Sequence, residues 1–142
     1  MVTREEEKKK ILEGIITSEE DLLLRLKRLV NASKPFLKVE RNTGRAMIST
    51  EFEFTNAERI TLLLLGKFFA MQYGIRKGYE LTLDEIGSEL AVKRTTLPAP
   101  LERLIDDGVV DKPKRNVYRI SLYKVEYALR RLQERYLVGD RK

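Results

Sequence analysis

The sequence predicts a mainly helical α+β protein, and three observations carry that reading. Capping residues stand ahead of apolar stripes of helical period at residues 17–30 and 55–73. Two extended runs flank turn residues between 36 and 49, which is a β-hairpin pattern. Two short apolar runs, at 109–110 and 117–120, bracket a basic turn directly after a pair of short helical segments. With 142 residues, 42% apolar and 35% charged, the chain can bury a core and lacks the composition of a disordered segment. The predicted organisation is an N-terminal helical extension with a β-hairpin (1–54), a compact module of short helices and strands (55–120), and a C-terminal amphipathic helix (121–142).

Residues 4–16 read as a first helix, with Ile11, Leu12, Ile15 and Ile16 apolar and Gly14 weakening its end. Thr17-Ser18-Glu19-Glu20 has the capping-box pattern, in which the hydroxyl accepts from the third amide while the carboxylate reaches back. The helix it opens carries Leu22, Leu23, Leu26, Leu29 and Val30 on one stripe, and is expected to end near Asn31, before Pro35. Residues 36–40 and 45–49 form the hairpin, with Gly44 supplying a positive φ. Phe52-Glu53-Phe54 is an extended entry to a second capping box, Thr55-Asn56-Ala57-Glu58. The helix from there to Tyr73, stopped by Gly74, is apolar nearly all round, so it is a central beam buried on more than one side, and one integrated unit is expected.

Glu80-Leu81-Thr82 reads as a short strand, and residues 83–90 as a short helix with Asp84 and Glu85 in its dipole-favoured first turn. Ala91-Val92 is a turn. A second short helix points Leu97, Leu101 and Leu104 inward and closes at Gly108. Pro98 and Pro100 lack amide donors, so both belong in its first turn. The helix therefore starts at about residue 98, and residues 93–96 form a loop or single turn ahead of it. Val109-Val110, a basic loop at 111–116, and Val117-Tyr118-Arg119-Ile120 complete the module.

Composition narrows the function. There is no Cys and no His, which removes disulfides, thiolate nucleophiles and the commonest general base and metal ligand. No phosphate-binding Gly-rich loop or nucleophile–base pair appears, so neither an enzyme nor a cofactor is predicted. Asp106, Asp107 and Asp111 read as solvated groups around a helix end and turn, and no metal site is predicted. The longest apolar run, residues 62–65, is far short of the roughly 20 residues a membrane span needs. The charged N-terminus has no apolar signal region, which points to a cytoplasmic protein. Scarce Asn and Gln beside abundant Lys, Arg and Glu match the bias of heat-adapted proteins. Residues 91–142 carry 13 basic and 7 acidic side chains, which is the whole net charge of +6. An excess gathered in one segment is the footprint expected of nucleic-acid binding.

The segments Leu83-Asp84-Glu85-Ile86-Gly87-Ser88-Glu89-Leu90, Leu101-Glu102-Arg103-Leu104-Ile105-Asp106-Asp107-Gly108-Val109-Val110 and Tyr118-Arg119-Ile120 resemble the winged helix-turn-helix superfamily, particularly small archaeal transcription regulators. The resemblance covers about 40 residues, mostly core and turn positions, and so speaks to fold more than to function. It implies that the second short helix enters the major groove and that the strand pair, the wing, touches the backbone. Carried onto this chain, the duplex-DNA surface is Lys93, Arg94, Thr95 and Thr96, with Arg103 from the helix and Lys112, Lys114 and Arg115 from the wing. Arg103 has two readings, phosphate contact or pairing with Asp106 or Asp107. Pro98 and Ala99 at base-reading positions offer no hydrogen bonds to base edges, so backbone-dominated binding is expected. The alternative is a protein–protein adaptor in a macromolecular assembly, a use to which this fold is also put. Tyr118 is expected to be partly buried rather than stacked on a base.

Ser121 is a candidate cap for a last helix running to about Leu137. Leu122, Val125, Leu129, Leu132 and Tyr136 follow at spacings of 3, 4, 3 and 4, a coiled-coil seam. Two heptads do not stand alone. The seam is expected to form a homodimer interface, the other possibility being that it packs on its own chain.

Overall fold

A computed structural model describes residues 3–15 and 18–138. Among them are six α-helices and two small antiparallel sheets, an α+β architecture. The chain divides into two compact units, Met1–Asn31 and Ala32–Lys142.

The first unit is built by local chemistry. Helix α1 (Arg4–Leu12) is capped by Thr3, whose hydroxyl accepts from the Glu6 amide at 3.1 Å. Glu5, Glu6 and Glu7 sit at its positive end and Lys9 and Lys10 at its negative end, but no α1 side chain is buried. Helix α2 (Glu19–Ser33) runs slightly past the expected end. Thr17 and Ile16 lie outside the described residues, and the cap seen is one residue further on. The Asp21 amide donates to Ser18 Oγ at 3.1 Å, and the Ser18 amide to Asp21 Oδ2 at 3.4 Å. The apolar stripe of α2 is not covered along its length: Leu29 is buried, whereas Leu22 and Leu23 are exposed.

The second unit is organised around helix α3 (Asn56–Tyr73). Its capping box is complete: Thr55 Oγ1 accepts from the Glu58 amide at 3.2 Å, and Glu58 Oε1 from the Thr55 amide at 2.8 Å. It ends at Gly74, at φ 94°. Ile60, Leu62, Leu63, Leu64, Leu65 and Phe68 are all buried, as the all-round apolar pattern requires. On one side lies the hairpin of β1 (Leu37–Val39) and β2 (Ala46–Ile48), with Leu37 opposite Ile48. Gly66 permits this approach, since a Cβ there would lie 3.0 Å from the Ala46 Cβ. The hairpin turn uses Gly44 at φ 74° and Glu40, whose carboxylate accepts from the Asn42 and Thr43 amides and the Thr43 hydroxyl. Those bonds, the Thr43 hydroxyl first, hold the Glu40 carboxyl below its ordinary range.

On the other sides of α3 come helix α4 (Leu83–Leu90), helix α5 (Pro98–Asp106) and a sheet of order β3-β5-β4, with β3 (Leu81–Thr82), β4 (Val110–Lys114) and β5 (Val117–Ile120). Thr82 ends β3 and also opens α4 through a second complete capping box with Glu85. Ala91 leaves α4 in the left-handed conformation, φ 54°. Ile86, Leu97, Leu101, Ile120 and Leu129 fill the core.

One charge is built into this core. Lys67 is buried on α3, and its Nζ donates to Glu89 Oε1 of α4 at 2.8 Å and to the Gly44 carbonyl at 3.2 Å. A single ammonium thereby ties helix, helix and hairpin turn together. Arg59 adds a second tie, donating from Nη2 to the Leu90 carbonyl at the end of α4 at 2.6 Å.

Ser121 does not cap the last helix. It is buried and its amide donates to the Val109 carbonyl at 2.8 Å, extending the sheet pairing. Helix α6 (Val125–Gln133) starts four residues later and passes into a wide turn, Glu134–Val138. Among the described residues, no helix is long and apolar enough to cross a membrane.

Candidate functional site

The exposed basic surface starts at the proline-initiated helix. Leu97 is fully buried and anchors the segment, while residues 93–96 are all exposed. They form a single 3₁₀ turn, Arg94–Thr96, closed by bonds from the Thr96 amide to the Lys93 carbonyl and from the Leu97 amide to the Arg94 carbonyl. Helix α5 then begins at Pro98, with both prolines in its first turn, where their missing donors are ones the helix does not use. Arg94 Nη1 lies 3.0 Å from Asp84 Oδ1, with both side chains mostly exposed. Such a pair is worth about 0–1 kcal/mol, so an incoming phosphate can compete with Asp84.

The second part of the surface is the β4–β5 hairpin. The expected loop at 111–116 is shorter than the sequence suggested. β4 continues through Lys114, which lies opposite Val117, leaving Arg115-Asn116 as a two-residue turn with Asn116 at φ 61°. Asn tolerates that conformation better than most residues. Pro113 is accommodated because β4 is an edge strand whose pairing is irregular between Asp111 and Lys114. Lys112, Lys114 and Arg115 are exposed, and Lys112 Nζ stands 5.7 Å from the centre of the Tyr118 ring. Tyr118 is buried against the module.

Two further cations, absent from the sequence prediction, lie beside Lys114. It lines a shallow cleft of about 430 Å³ with Arg76, Arg119, Glu80 and Glu85. Arg76 donates to the Glu80 carbonyl at 3.0 Å. The Arg119 guanidinium stands 5.8 Å from the Tyr79 ring centre, and its Nε, 4.0 Å from Asp111 Oδ2, has no hydrogen-bond partner. Alternation along β5 could have flagged Arg119 as facing away from Tyr118, whereas nothing in the local pattern marks Arg76.

Arg103 goes elsewhere. It lines an open groove of about 1140 Å³ between the start of α3, the end of α5 and α6, in company with Asp106, Asp107, Lys124, Tyr127 and Arg131. None of the other seven predicted DNA-contact residues borders that groove.

The predicted dimer seam is used within the chain. Val125, Leu129 and Leu132 are buried, with α6 packed on α3, and Leu122 precedes the helix instead of joining it. Tyr136 closes an aromatic cluster with Phe52 and Phe54, at centroid distances of 5.6 and 4.9 Å. Its hydroxyl lies 2.6 Å from Glu58 Oε1 and 3.1 Å from the Glu53 carbonyl. Burial among the rings, then the Glu58 carboxylate, push the phenol up to about 12. The seam expected to meet a second chain therefore joins the C-terminal helix to the N-terminal cap of α3.

Among the described residues, no group of three or more acidic side chains is placed to hold a metal ion. No family model matches the chain, and no curated protein or solved structure matches it.

Proposed function

We propose that this protein binds duplex DNA as a transcription regulator, on a winged helix-turn-helix scaffold, through the phosphate backbone more than through base edges. The observation that carries the reading is the exposure of Lys93, Arg94, Thr95 and Thr96 on one turn, and of Lys112, Lys114 and Arg115 on one two-residue-tipped hairpin. Both belong to the segment that holds the whole charge excess. Lys and Arg there would displace condensed counterions, and the Thr hydroxyls would bond phosphate oxygens. Arg76 and Arg119 extend the basic surface beside Lys114. Arg103 is set aside from it, because it borders the groove against α6.

The rival reading is a protein–protein adaptor. Its support is specific: Pro98 and Ala99 open α5 without a base-reading donor, and Arg94 already has Asp84 as a partner. Fluorescence anisotropy of a labelled duplex separates the two. Replacing Lys112, Lys114 and Arg115 together by Ala should weaken binding to every duplex sequence alike. A triple variant that binds as tightly as the wild type would leave the adaptor as the better account.

A further inference from the structure

One cation of the proposed contact surface is not free to meet a phosphate. Among the described residues, Lys93, Lys112, Lys114 and Arg115 form no ion pair, whereas Arg94 Nη1 lies 3.0 Å from Asp84 Oδ1. The two partners come from different elements, Asp84 from the first turn of α4 and Arg94 from the 3₁₀ turn ahead of α5. A carboxylate oxygen at that distance makes the same charge-assisted contact with a guanidinium as a phosphate oxygen does. Asp84 therefore holds the place that a DNA phosphate would take.

Neither residue needs the other to keep its backbone in place. Asp84 sits at the positive end of α4, where the dipole favours a carboxylate, and the Thr82–Glu85 capping box fixes that turn without it. The Arg94 turn is closed by backbone bonds, Thr96 amide to Lys93 carbonyl at 2.9 Å and Leu97 amide to Arg94 carbonyl at 3.2 Å, and Leu97 anchors it in the core. The Arg94 and Asp84 side chains are 59% and 73% exposed, so parting them leaves both charges in water. The pair is exchangeable: the guanidinium can swing to another oxyanion while turn and helix stay folded.

We infer that Asp84 is a built-in competitor for Arg94. It holds the guanidinium until a duplex phosphate displaces it, and it sets the affinity of the surface below what the cations alone would give. This rests on the DNA reading of the surface and names how that same surface is restrained.

A double-mutant cycle read by anisotropy of a labelled duplex at low salt, with the full chain, tests it. Asp84→Asn should tighten binding by about fivefold, the factor that corresponds to the upper worth of an exposed pair. On an Arg94→Gln background the same substitution should change affinity by less than about twofold, because no guanidinium is left to release. Circular dichroism should be unchanged throughout, and Asp84→Ser serves the same cycle if Asp84→Asn fails to fold. Equal gains on both backgrounds would assign the effect to general removal of negative charge and overturn the inference. Weaker binding by Asp84→Asn would make Asp84 a residue that positions Arg94 for DNA, and overturns it too. A wild type that binds duplex, with an Asp84→Asn variant no tighter, refutes this inference alone. If neither the wild type nor Asp84→Asn binds any duplex, the DNA reading itself falls, and this inference with it.

Discussion

The two units of this chain use the same grammar of helix formation and reach opposite outcomes. Thr3 caps α1 and Thr55 caps α3, each through its hydroxyl to the third amide, and both helices carry acidic groups in the first turn. Yet α3 buries Ile60, Leu62, Leu63, Leu64 and Leu65, while α1 buries nothing and α2 leaves Leu22 and Leu23 in solvent. Caps and charge order specify where a helix starts and stops. They supply too little to hold it in place, which takes an apolar surface on the other side.

Substitutions at matched positions sharpen that contrast. Leu65→Ala, at a fully buried site, should cost about 2–5 kcal/mol in denaturant unfolding, whereas Leu23→Ala should change the dilute monomer by no more than about 0.5 kcal/mol. Equal losses would mean the first unit is buried after all. The charge in the core comes next. Glu89→Ala leaves the Lys67 ammonium buried without its carboxylate and should cost about 3 kcal/mol, whereas replacing both partners, Lys67→Met with Glu89→Leu, should be close to neutral by the same assay. A larger loss from the double replacement would show that the tie between α3, α4 and Gly44 matters more than relief of desolvation.

The Tyr136 cluster gives a pH test. The folded-state phenol titrates at about 12, above its ordinary 10.0, so the folded state holds the proton more tightly. The resulting stabilisation is complete below pH 10 and is lost as the pH rises from 10 to 12. Tyr136→Phe should cost about 1 kcal/mol at neutral pH and flatten the decline across that window, read from urea midpoints. An unchanged alkaline decline in the variant would assign it to other groups. Smallest is the pair of caps: Thr55→Ala should cost about 1 kcal/mol globally, and Thr3→Ala should fray α1 with almost no change in the global midpoint.

What the sequence disclosed follows the range of the interaction. Short-range chemistry was readable: the Thr55 capping box, the Gly44 turn, and the start of α5 at Pro98, which two missing donors place within one residue. Competition between two local roles was not. Thr82 has the pattern of a strand residue and also caps α4, and Ser121 has the pattern of a cap but pairs with the sheet at Val109. Long-range pairings were invisible. Lys67 and Glu89 stand 22 residues apart, and nothing in an apolar helix announces that its one lysine points inward. The 3–4 spacing of α6 identified an apolar face correctly without saying which surface it meets, and the structure supplies α3. Of the proposed contact surface, the turn at 93–96 and the hairpin cations follow from the winged-helix resemblance together with the charge excess of residues 91–142. Arg76 and Arg119 join them only through the fold.

The central claim is that the exposed turn and hairpin neutralise DNA phosphates. The most direct measurement is the affinity of the wild-type protein for a labelled duplex across a salt series. With about three to five phosphates neutralised per protomer, log affinity should fall against log salt with a slope of about −3 to −5, and similarly for unrelated sequences. No binding at low salt, or binding with a slope near zero, would contradict the account.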